Sequence, residues 1–212
     1  MSGGGVLVIE PDRKSFSADP IGYSGLAWHK WETAKLLAGV IDQPRDTPTK
    51  EDLKSPVLWL SQAHALSEAA LVLLKAQPTW ESMPFELRGM CDSQYCAVGL
   101  MLVGYSLETC LKAMHIMKSG IDDYFEREKK FHHHRLDELA TFLPDLSEKD
   151  KAILRALTHF TLWAGRYPDP GADRLGHASE IFTLAESHEI AGRDLFALSA
   201  RVMKYVQTMT QG

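Results

Sequence analysis

The stretch from Tyr95 to Lys118, YCAVGLMLVGYSLETCLKAMHIMK, constrains the chain more than any other. It is apolar on nearly every side, which in a soluble chain marks a helix enclosed by neighbours rather than one with a wet face. Glu108 and Lys112 sit inside it, one turn apart. A carboxylate surrounded by hydrocarbon is costly unless it is paired or hydrogen-bonded, so the groups that meet Glu108 are expected to form the polar centre of the fold. The same length and apolarity would suit a membrane span, but two charged residues near the middle disfavour it in lipid. A buried core helix is therefore expected.

The rest of the chain reads as helices with short connections. Residues 1–25 contain three successive glycines near the start, Pro11 and Pro20, and a single apolar run, Val6 to Ile9. This predicts an N-terminal extension with at most one short strand. A single helical-bundle domain is expected over 26–212. Its first helix spans 26–41, and Pro44, Pro48 and Pro56 then impose a loop. Ser55-Pro56 is a helix start, because Ser caps free amides and Pro suits the first helical position; that helix ends before Pro78. An irregular connection covers 79–90, and the central helix stops at Gly120.

Beyond Gly120, residues 122–130 form a short charged helix or lid, and Leu136, Leu139, Ala140 and Phe142 mark a short amphipathic helix with His134 at its cap. Ser147 and Asp150 have the spacing of a capping box, opening a helix that runs to about Ala164. Arg166 to Gly171 is a rigid turn, and His177 lies in a loop or short helix. Leu195, Leu198, Val202, Tyr205 and Met209 recur at spacings of three and four in the last helix, over 189–209. The sum is an all-α, up-and-down bundle of five or six helices.

A net charge of −5 argues against a protein that coats nucleic acid or anionic membrane through a global positive field, so any such contact needs a local patch. The candidate is Arg127, Lys129, Lys130, His132, His133, His134 and Arg135, interrupted by Glu126 and Glu128. Cys91, Cys96 and Cys110 have no metal-ligand spacing, and an odd count suits a reducing compartment. With no basic segment followed by a long apolar core at the N-terminus, a cytoplasmic protein is expected. Three consecutive histidines point in different directions and no Glu-x-x-His pair is present, so neither metal nor cofactor is expected.

Several residues have chemical as well as structural readings. Arg155 and His159 lie one helical turn apart and form the candidate catalytic pair: an imidazole can take a ribose hydroxyl proton while a guanidinium neutralises the neighbouring phosphate. The plainer account packs His159 in the bundle and leaves Arg155 solvated. Arg166 follows a helix C-terminus, where a cation complements the backbone dipole; its stronger role is as the forked partner of Glu108. Tyr167 either stacks on a base or closes the core.

Three motifs in order resemble the HEPN family: Leu107-Glu108-Thr109-Cys110-Leu111-Lys112-Ala113, then His134-Arg135-Leu136-Asp137-Glu138-Leu139, then Arg166-Tyr167-Pro168-Asp169. The similarity covers about 60–208. It implies a four- or five-helix bundle, a homodimer, and a role in toxin–antitoxin systems with an antitoxin partner, phage defence or RNA processing. Many members are metal-independent ribonucleases with Arg, four to six residues, then His. Here Arg155 and His159 are separated by three residues, and Arg127 to His132 has the count but precedes the His-x-Leu helix. The resemblance thus implies RNA or nucleotide binding at Glu108, Lys112, His134, Arg166 and Tyr167. A non-catalytic dimeric scaffold and a metal-binding helical bundle are the rival readings.

Overall fold

The computed structural model describes residues 10–40, 47–131, 133–172 and 175–210, and it is all-α, with no strand among them. The run Val6 to Ile9, Pro44 and His132 lie outside the described residues. The chain divides into two units, Met1–Trp59 and Leu60–Gly212.

In the first unit, Asp12 caps α1 (Arg13–Ala18) by accepting from the amides of Lys14 and Ser15, and Asp19 caps α2 (Pro20–Gly25). A 3-10 turn, Leu26–His29, leads into α3 (Lys30–Leu37). Trp31 and Ala34 on α3 are buried with Leu58. Thr49 and Asp52 form a reciprocal capping box on α4 (Lys50–Leu53). α5 runs from Pro56 to Lys75, so its first turn belongs to this unit and the rest to the second.

The second unit is a helical bundle around α6 (Phe85–Ser119), which begins ten residues before Tyr95. Pro84 sets the entry, and Gly89 is tolerated because that end of the helix is largely exposed. Leu107, Leu111, Met114 and Ile116 of α6 are almost completely buried, as are Leu136, Leu139, Ile153, Leu154, Leu157, Leu198 and Val202 from the helices around it. These helices are α9 (Leu136–Leu139), α10 (Glu148–His159) and α12 (Gly192–Thr210). The span Lys50–Lys75, which includes α5, and α6 are both long and apolar enough to cross a membrane by length and composition; the apolar window of the first is 17% buried inside the protein and that of α6 56%.

The Ser147–Asp150 capping box forms as its spacing predicts. Asp150 also accepts from Arg201 of α12, so one carboxylate caps α10 and ties it to the last helix. Burial raises the Asp150 pKa, but hydrogen bonds from Ser147 and the Arg201 charge outweigh it and hold the carboxyl below its ordinary value.

α10 does not end at His159 but widens into a π-helical segment, Phe160–Ala164. Close approach to α6 requires glycine on both sides. A Cβ on Gly104 would lie 2.5 Å from Thr161 Cγ2, and one on Gly165 would lie 2.4 Å from Met101 Cβ. The widened turn leaves carbonyls that side chains satisfy: Thr161 O accepts from Tyr105 Oη, Leu162 O from Arg166, and Ala164 O from Gln94. The stretch around His177 forms a thirteen-residue helix, α11 (Leu175–Ser187), packed on α10. Between α6 and α9 lie α7 (Ile121–Glu126) and α8 (Glu128–Phe131).

Candidate functional site

Glu108 is buried on α6, with its carboxylate engaged on both oxygens. Oε1 accepts from Lys112 Nζ at 2.7 Å, the pairing that one helical turn places within reach. Oε2 lies 2.8 Å from His134 Nδ1. A carboxylate only accepts, so the bridging Nδ1 carries the hydrogen of this bond; in the neutral form of the ring that tautomer leaves the lone pair on Nε2. The His134 side chain is 41% exposed against 8% for Glu108. The carboxylate is thus inside and the imidazole at the surface, with no described residue on Nε2.

One further contact reaches this imidazole, and a second interaction anchors the backbone beside it. The ring of Tyr105 meets it edge-on with centroids 6.1 Å apart, while the Tyr105 hydroxyl is spent on Thr161 O. The backbone just after His134 is pinned by Thr158, whose hydroxyl accepts from the Leu136 amide at 3.0 Å and donates to Leu154 O. His134 itself is therefore not the cap of α9. Arg135 occupies that position without a side-chain bond, and the capping oxygen comes from α10. That exchange frees the His134 ring to reach Glu108.

Tyr124 is buried near this centre and stacks on Phe131 with centroids 5.2 Å apart. Burial, with the charges of Glu128 and Glu108, pushes its phenol up to about 12, so it stays protonated. His133 is 3.7 Å from Glu138; burial and Arg135 hold its pKa below the ordinary value against the opposing pull of Glu138. Among the other cations, Arg127 pairs with Asp123 and Arg135 with Glu138, while Lys129 and Lys130 are exposed. His132 lies outside the described residues.

The structure does not bring Arg166 to Glu108. Arg166 donates to Leu162 O at 2.7 Å and lies over the ring of Tyr167, which is itself exposed. The neighbouring Gly165 packs on Met101 and Ala97. Glu108 lies seven residues beyond Met101 on α6, about 10 Å along the axis. The forked partner expected for Glu108 is replaced by a lysine on its own helix and an imidazole from the α8–α9 loop.

Arg155 and His159 share a helix but not an environment. Arg155 is exposed and borders a cleft of about 600 Å³ whose walls include Asp137, Glu138, Asp145, Glu148 and Lys151. His159 is buried. Its Nε2 is 3.1 Å from Glu180 Oε2, and its Nδ1 is shielded from solvent with no hydrogen-bond partner among the described residues. The His177 ring lies edge-on at 5.8 Å. Burial lowers the His159 pKa, Glu180 opposes this, and His177 adds to the lowering. A neutral imidazole wedged between α10 and α11 results.

Glu180, His177, Tyr105 and Thr158 were not singled out by sequence reasoning. His177 and Glu180 do show helical spacing, but only Leu184 of α11 is buried, so no strong apolar period announced that helix. Tyr105 and Thr158 act on residues 56 and 22 positions away, and nothing local signals that. Among the described residues no group of three His, Cys, Asp or Glu side chains is placed to hold a metal ion. No family model, curated protein or solved structure is matched by this chain.

Proposed function

We propose that the protein binds RNA at the surface around His134 and cleaves it without a metal, as a HEPN-like homodimer in the cytoplasm. The observation that carries this reading is the Glu108–His134 pair. A buried carboxylate fixes one ring nitrogen of a half-exposed imidazole and leaves the other facing outward as a base. Lys112 occupies the remaining carboxylate oxygen, so Glu108 has no need of a competing partner. Two of the three motifs behind the HEPN resemblance, those containing Glu108 with Lys112 and His134, meet at this point; the third, Arg166-Tyr167-Pro168, supports the π-helical segment instead.

In the proposed reaction Nε2 of His134 takes the proton of a ribose 2′-hydroxyl. The oxygen so activated attacks the adjacent phosphorus, the bond to the 5′ oxygen breaks, and that oxygen takes a proton from solvent. A 2′,3′-cyclic phosphate and a 5′-hydroxyl result. Glu108 orients the ring and stabilises the imidazolium as it forms. Arg135 and the exposed Lys129 and Lys130 suit the phosphate backbone, in a chain whose overall charge does not. Arg155 and His159 have no part in this chemistry, because His159 is enclosed.

The rival reading is a non-catalytic scaffold in which Glu108, Lys112 and His134 only join α6 to the α8–α9 loop. The two separate on one experiment. Structured and unstructured RNAs are incubated with the protein in chelator, alongside His134→Ala and an RNA carrying 2′-deoxyribose throughout. Cleavage of RNA alone, reduced about 100-fold or more in His134→Ala, is expected. Cleavage unchanged in that variant removes the catalytic assignment, and absence of both cleavage and low-salt RNA binding in the wild type leaves the scaffold.

A further inference from the structure

A pocket of about 230 Å³ opens between α5, α6 and α12, lined by Ser67, Ala70 and Leu71, by Val103 and Ser106, and by Phe196, Ser199, Ala200 and Met203. It exists because the three helices meet here through small side chains, so the larger residues at the rim cannot fill the space between them. All these residues belong to the second unit. No charged side chain is among them. The two serine hydroxyls that come closest to the core differ in one respect. Ser106 Oγ donates to Ala63 O at 2.7 Å, whereas Ser199 Oγ is shielded from solvent and has no hydrogen-bond partner among the described residues.

We propose that this pocket binds a small neutral organic molecule, a single aromatic or bicyclic ring bearing one hydrogen-bonding group. The size follows from the volume. An apolar cavity of about 150 Å³ takes benzene, so 230 Å³ accommodates a substituted ring. The neutrality follows from walls without a counter-charge, since a desolvated carboxylate or ammonium there would have no partner. The single polar group follows from Ser199, the one buried hydroxyl in the walls without a partner among the described residues; it is covered as the side chain stands, and a turn of the serine about its Cα–Cβ bond brings it to a ligand hydroxyl or ring N–H. Phe196, partly exposed at 43%, offers a ring edge at the mouth. This site is independent of the His134 centre: Ser106 and Glu108 are two residues apart on α6 and so face nearly opposite sides of that helix. A nucleotide phosphate fits the His134 surface and not this one.

Phenol, indole, toluene and benzoate are the probes, measured by ligand-observed NMR and isothermal titration on the full chain. Phenol and indole are expected to bind saturably, with Kd on the order of 0.1–1 mM for ligands of this size. Toluene, which lacks the polar group, should bind several-fold more weakly, and benzoate not at all. Ser199→Ala should erase the preference of phenol over toluene. Ala200→Phe from α12 and Ser67→Phe from α5 should each block binding, with circular dichroism reporting that the helices persist; two blocking variants on different helices guard against one failing to fold. No saturable binding of phenol or indole at millimolar concentration overturns the proposal. So does binding that survives both blocking variants, or benzoate binding as tightly as phenol.

Discussion

Two of the imidazole–carboxylate pairs among the described residues are inverted in burial. In the pair on α6 and the α8–α9 loop, the Glu108 side chain is 8% exposed and the His134 side chain 41%. In the pair between α10 and α11, the His159 side chain is 9% exposed and the Glu180 side chain 42%. The distances are similar, 2.8 Å and 3.1 Å, yet the consequences differ. A buried carboxylate must be satisfied from within, so it collects a lysine and an imidazole and becomes a fixed support for the ring it orients. A buried imidazole that is held neutral has no such demand; it fills space, keeps one nitrogen unpaired, and leaves its carboxylate in water. The end of the pair that faces outward decides whether the pair can act on another molecule.

Glu108→Ala is the most severe way to break this comparison, because it leaves Lys112 buried without a counter-charge. A loss of about 3–5 kcal/mol is expected, and at this chain length a fall in Tm on the order of 10 °C, read by thermal denaturation. Glu180→Gln, at the exposed carboxylate of the other pair, should cost under about 1 kcal/mol. Equal losses from the two would mean that burial does not distinguish them.

The histidines should separate in the opposite sense. His134→Ala is expected to lower RNA cleavage about 100-fold or more while shifting stability little, since the ring is half-exposed. His159→Ala opens a space between α10 and α11 and should cost about 1–3 kcal/mol while leaving cleavage unchanged. Cleavage assays and melting curves on the same two proteins check both statements. A somewhat smaller effect, about 1–2 kcal/mol, is expected of Thr158→Val, which leaves the Leu136 amide without an acceptor and loosens the loop that presents His134. Its distinguishing sign is a loss of cleavage larger than its loss of stability at the assay temperature can explain.

Acidification sharpens the comparison further. His159 has a folded-state pKa held below the unfolded value near 6.5 by burial, so the unfolded chain takes up its proton first as pH falls. Stability from this group is full above that pH and is lost as pH drops through the window down to the folded pKa, with a slope of at most about 1.4 kcal/mol per pH unit. Glu180 and His177 face the ring from α11, so the slope measured in wild type should flatten in His159→Phe and persist in His177→Gln. The smallest effect belongs to Arg166→Ala, which removes one exposed hydrogen bond to Leu162 O and should cost a few tenths of a kcal/mol, with no change in cleavage.

Local physics was enough for much of the architecture. The all-α class follows from helical periods, the Glu108–Lys112 pair from one turn of one helix, and the Ser147–Asp150 cap from a spacing of three, so each depends only on near neighbours in the chain. The amphipathic stripe of α12 was legible for the same reason. What failed is also local in cause: α11 buries little and so shows no strong period, and α6 continues upstream through Gly89 because nothing but a solvated backbone opposes it.

The candidate site was legible by half. That a carboxylate in the core of α6 needed partners followed from desolvation alone, and Lys112 was at hand. Which distant group would complete it could not be read, because Arg166 and His134 were both chemically suitable. Packing chose between them: Gly165 settles against Met101 and Ala97, a level of α6 about 10 Å along the axis from Glu108, and Arg166 is spent on the open carbonyl of Leu162, while Thr158 draws the start of α9 toward α10 and delivers His134. The residue types and their helical spacing come from the sequence; the direction each ring and carboxylate faces is set only when helices far apart in the chain close on one another and decide which of them water can still reach.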